Sequence, residues 1–133
     1  MLKKTIGLAC IAVLATASAE MLDTSGFTMK RTVTFSGYAG ASELENFPAL
    51  VRLPAEVSAL CASGGADVRF ADADGNLLNH EVDTWNANGE SLVWVRVPQL
   101  AGPDTALRMY FRCLGENVAA NPRNVWRFAR YKG

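Results

Sequence analysis

The sequence is poor in the residues that most often carry chemistry. It has one histidine, His80, in 133 residues. There is no CxxC pair and no Cys/His cluster, which excludes a zinc site of the usual four-ligand kind. No G-x-S-x-G elbow presents a serine nucleophile, and no carboxylate pair has the spacing of a glycoside hydrolase. No glycine-rich loop is placed to cradle phosphate. Neither sign of charge dominates, with 13 basic and 13 acidic residues, so the basic stripe of a nucleic-acid binder is missing. No apolar run reaches the roughly 20 residues that a bilayer span requires. Internal repeats and low-complexity tracts are also absent. What remains is a chain of one-domain size with a modest core, and no sign of an enzyme or of a cofactor.

The amino terminus sets the compartment. Met1 to Lys4 is short and basic, Thr5 to Ala15 is apolar, and Ala17-Ser18-Ala19 is a small-x-small cleavage signal. Residues 1–19 therefore read as a secretory signal peptide cut after Ala19. An uncleaved anchoring helix and lipid attachment at Cys10 are the alternatives. The apolar run is short for the first, and too little of it precedes Cys10 for the second. Removing 1–19 leaves 114 residues with two more acidic than basic side chains. It also leaves two cysteines, Cys61 and Cys113, which an oxidising compartment permits to pair. Such a bridge requires Cα atoms within about 7 Å; two separate buried thiols are the alternative.

Alternation dominates the rest. Lys30 to Phe35 is rich in β-branched residues at period two. Phe47, Ala49, Val51 and Leu53 share one side of a strand that Pro48 either begins or places at a sheet edge. Pro54 to Cys61 has helical spacing over a turn or two, giving at most one short helix near 55–62, ended by Ser63-Gly64-Gly65. Asp67 to Ala71 leads through a turn at Asp72–Asn76 to a return strand over Leu77–Trp85. Ser91 to Val97 follows as the third strand of that meander, and Thr105 to Phe111 alternates again. Strands about every ten residues, with turn signals between them and almost no helix, predict an all-β fold: an antiparallel β-sandwich of jelly-roll-like form over residues 27–120.

Several stretches in order resemble a known family. They are "VTFSGYAGASELENFPALVRLP", "GADVRFADADGNLLNHEVDTWN", "GESLVWVRVPQL" and Met109-Tyr110-Phe111. They are similar to an uncharacterised family of exported bacterial domains (domain of unknown function 2341) over roughly residues 29–126. The resemblance implies a module of a surface or secreted protein, often set before a concanavalin A-like or laminin-G-like module. On that basis residues 121–133 are a linker or the start of that next module. The resemblance supplies no catalytic residues.

One strand raises the functional question. In "SLVWVRVPQL", Val93, Val95 and Val97 alternate with Trp94 and Arg96. The same period sets Glu81, Asp83 and Trp85 on one side of their strand, and Arg108 and Tyr110 on one side of theirs. If the registers align, Glu81, Asp83, Trp85, Trp94, Arg96, Arg108 and Tyr110 form one face of charged groups and flat rings. Sugars are held by such groups, with ring faces on aromatics and hydroxyls on charged partners. The same residues also stabilise an ordinary solvated or docked sheet face through cross-strand pairs.

Two further constellations are weaker. Asp72, Asp74 and Asn76 suggest a calcium loop, but Gly75 comes too early for an EF-hand and a β-turn accounts for the residues better. His80 and Glu81 point to opposite sides of a strand and cannot act on one substrate, so His80 is expected in the core. The sequence thus predicts an exported, non-catalytic module without cofactor. Its expected partner is an extracellular glycan or a neighbouring β-sandwich module, with no nucleic acid and no membrane after signal cleavage. A purely structural spacer that positions a downstream lectin-like domain is the alternative.

Overall fold

The computed structural model describes residues 20–114 and Val125. The expected signal peptide, and the expected linker except for Val125, lie outside the described residues. The described chain is all-β, in six strands: β1 (Phe27–Thr34), β2 (Leu44–Leu53), β3 (Arg69–Ala71), β4 (His80–Thr84), β5 (Ser91–Leu100) and β6 (Ala106–Cys113). One short helix, α1 (Ala55–Ser58), and a single 3-10 turn at Ser63–Gly65 interrupt them, within and just past the expected helical stretch.

The strands form two antiparallel three-stranded sheets, ordered β1-β6-β3 and β2-β5-β4. The period-two pattern explains why they face each other. Val93, Val95 and Val97 on β5 are at most 1% exposed. Ala49 and Val51 on β2 and His80 on β4 are their buried neighbours. Leu107, Met109 and Phe111 on β6, with Phe70 on β3, complete the core from the other sheet. Each such aliphatic side chain contributes about 1.5–3 kcal/mol at most when taken out of water. Pro48 lies within β2, an edge strand, where its missing N–H breaks no central ladder.

The expected meander is only half formed, which corrects one sequence expectation. β4 and β5 are a hairpin, but β3 belongs to the opposite sheet. After the Asp72–Asn76 turn the two arms meet only at the Ala71–Leu77 bridge and through Leu78 N–H on Phe70 O at 2.8 Å. The chain then crosses over, and Asn79 O accepts Arg96 N–H at 2.9 Å. Alternation reports which side of a strand is apolar; it does not report which sheet the strand joins. The fold also begins before residue 27. Met21 bridges Asn76, Leu77 N–H donates to Glu20 O at 2.7 Å, and Leu22 is buried.

Asp67 and Ser58, both buried, are anchored by hydrogen bonds. Asp67, 5% exposed, accepts Ala62 N–H on one oxygen and Cys113 N–H on the other, both at 2.9 Å. Ser58 donates to Ser91, whose hydroxyl also accepts Asn86 N–H, so α1 is pinned to the β4–β5 turn.

Candidate functional site

The seven residues expected on one face are divided three ways. Arg108 and Tyr110 lie on β6, in the sheet opposite the one that carries Glu81 and Trp94. Arg108 donates to Ala73 O at 3.0 Å, and Tyr110 packs against Phe27 with ring centroids 5.8 Å apart. Neither shares a face with the other five, because β6 pairs with β1 and β3 and not with β5 or β4.

Trp85 is lost to the face for a different reason. The β4–β5 register shifts between Val82 and Thr84, leaving Asp83 as an extra residue. A β-bulge of one residue inverts the parity of everything beyond it. Glu81 before the bulge opposes Trp94 on the outside, and Thr84 after it opposes Leu92, also on the outside. Trp85 therefore turns inward and packs on the core. It lies over Gly65, where an added Cβ would sit 2.5 Å from the indole ring. Gly65 also has φ of +73°, a conformation that favours glycine. Gly65, at the end of the helical stretch, is thus the seat of a tryptophan.

Four expected residues remain together on the outside of β2-β5-β4: Glu81, Asp83, Trp94 and Arg96. Trp94 is half-buried, and its Nε1–H donates to Asp83 Oδ1 at 3.1 Å. The bulge residue thereby holds the indole in place. Across the sheet, Leu50 on β2 and Glu81 on β4 flank Trp94, while Pro48 and Asn79 flank Arg96. At the Arg96 end this surface opens into a cleft of about 430 Å³. Its walls include Asn46, Asn76, Asn79 and Glu20, over Leu77 and Pro98. Charged and amide groups mixed with apolar lining suit a polyhydroxylated ligand. Sequence reasoning did not bring these residues together: it placed Asn76 in the Asp72–Asn76 turn and did not single out Asn46 or Glu20. Asn46 comes from another strand and holds a left-handed φ of 50°, and Glu20 lies outside the expected domain. The one available signal was that Asn79 shares the side of its strand with Glu81.

The other expectations resolve individually. Asp72 accepts N–H groups from Asp74 and Asn76 at 2.9 Å and the Asn76 amide at 3.0 Å, so its carboxylate caps the turn. Among the described residues no group of three or more acidic, histidine or cysteine side chains is placed to hold a metal ion. His80 is fully buried, edge-on to Phe70 at 5.3 Å, and faces away from Glu81. Of the two alternatives the bridge is not formed: Cys61 and Cys113 are not joined in a disulfide. Cys61 donates to Val57 O at 3.2 Å, and the Asp67 carboxylate stands between the backbones of the two segments. Burial, reinforced by the Asp67 charge, pushes the Cys61 thiol from its ordinary 9.0 up to about 12.

Residues 64–131, just over half of the chain, match the family described as a domain of unknown function (DUF2341). The chain belongs to that family. The DUF2341 match begins at Gly64 and so takes in the Gly65 seat, the bulge, Trp85, Trp94 and Arg96, while β1 and β2 precede it. No curated protein and no solved structure matches the chain. No helix among the described residues is long and apolar enough to cross a membrane.

Proposed function

We propose that this chain is an exported, non-catalytic β-sandwich module that attaches to an extracellular glycan through the outside of the β2-β5-β4 sheet. The observation that carries the reading is Trp94, fixed by Asp83 and set beside Arg96 at the mouth of the polar cleft. A sugar ring stacks on the indole, and its hydroxyls bond to Arg96 and the cleft amides. The basic, apolar, small-x-small start of the chain supports export. The test is a glycan array with the processed chain, comparing wild type with Trp94→Ala. Binding that disappears in a variant with a near-normal melt supports attachment. Absence of binding, or binding indifferent to the substitution, removes it.

Trp85 and Tyr110 favour a second reading. Two of the three expected aromatics serve packing instead, Trp85 over Gly65 and Tyr110 against Phe27. A structural spacer that positions a neighbouring β-sandwich module, and binds no glycan, requires only that.

A further inference from the structure

The two long sides of the sandwich are closed differently. At the β3/β4 side the Ala71–Leu77 bridge and the Leu78–Phe70 hydrogen bond lace the sheets together. At the β1/β2 side, among the described residues, neither edge strand has a partner beyond its own sheet. A groove of about 380 Å³ runs between them instead. Val33, Leu53, Val57 and Met109 supply apolar lining, and Arg31 stands on the β1 side.

We infer that this groove is a docking site for an extended, acidic segment of a partner protein, which adds to β1 as a further strand. Geometry selects β1 over β2. β2 contains Pro48, which has no N–H to donate, and Asn46 in a left-handed conformation. β1 offers eight residues, FTMKRTVT, with neither proline nor glycine. An added strand takes main-chain hydrogen bonds from such an edge and seats alternate side chains in the groove. Charge selects the partner. β1 has two cations, Lys30 and Arg31, and no acidic residue. By register Arg31 shares the inward side with Met29 and Val33, yet it is exposed and overhangs the groove. Directly opposed unlike charges stabilise a strand pair and like charges oppose it. A second copy of this chain is disfavoured on that ground. The centre of β1 falls between Lys30 and Arg31, so a symmetric antiparallel pair would set each against the other's counterpart.

The plainer role for Arg31 is a guard, since an inward charge on an edge strand discourages pairing. One experiment separates the two. Fluorescence anisotropy of the processed chain is measured with a labelled heptapeptide alternating glutamate and valine, and with its lysine–valine counterpart. The acidic peptide is expected to bind and the basic one to bind at least about tenfold more weakly. Arg31→Glu, an exposed change checked by its melt, is expected to cost about tenfold, and Lys30→Glu less. The bound acidic peptide should shift the amide resonances of Phe27–Thr34 and leave those of β4 in place. Equal binding of both peptides, no binding of either, or indifference to Arg31→Glu overturns the proposal. Self-association of Arg31→Leu, with neither peptide bound by wild type, assigns Arg31 to guarding and overturns it equally.

Discussion

Trp94 on β5 and Trp85 just past the end of β4 lie nine positions apart in the sequence and do opposite jobs. Trp94 faces outward, tied to Asp83, with Leu50 and Glu81 beside it. Trp85 faces inward over a glycine that only a left-handed turn and a missing Cβ make possible. A single inserted residue, Asp83, separates the two outcomes. It both inverts the parity of its strand and holds the other indole. A feature that looks like a defect in the ladder thus builds the candidate surface and the core beneath it.

The largest effect is expected at Val95→Asp. Val95 is 0% exposed between β2 and β4, and an unpaired buried carboxylate costs several kcal/mol, enough to unfold a domain of this size. Circular dichroism of the variant should show loss of the strand signal; a normal melt would mean that the inner and outer sides of β5 are reversed. Next comes Gly65→Ala. A Cβ at 2.5 Å from the Trp85 ring, on a residue with φ of +73°, should cost about 1–3 kcal/mol by urea titration. Asp67→Ala leaves the Ala62 and Cys113 N–H groups without their acceptor, for a loss of similar size. At the bottom lies Arg52→Ala. Its pair with Glu90 is 2.9 Å long but well exposed, and should contribute no more than about 0.5 kcal/mol.

Alkaline stability sharpens the same account. The folded state holds the Cys61 thiol protonated up to about 12, above its ordinary 9.0. The group therefore favours the fold below pH 9, and that contribution is lost as pH rises from 9 toward about 12. Cys61→Ala should show a shallower decline in melting temperature over that range than wild type. Parallel curves would contradict the burial assigned to the thiol.

Much of the fold was legible because period two is a local property. The three valines of β5, the Leu107-Met109-Phe111 side of β6 and the Ala49-Val51-Leu53 side of β2 are buried as alternation requires. The edge position of Pro48 was legible from its missing donor. Three things were not. The crossover after Leu78 depends on which sheet offers the better partner, and alternation is silent on that. The bulge at Asp83 leaves no distinct residue signature, so Trp85 was set on the wrong side. The cleft draws Asn46, Asn76 and Glu20 from segments far apart in the sequence, and no spacing rule joins them.

The division of the two tryptophans is tested most directly by paired thermal melts of Trp85→Ala and Trp94→Ala in the chain from Glu20 onward. Removing an indole packed on the core should cost about 3 kcal/mol, and removing one from the outer face about 1 kcal/mol. For a domain of this size the first variant should melt about 10 °C or more below the second. Equal melting temperatures, or a lower one for Trp94→Ala, would contradict the account.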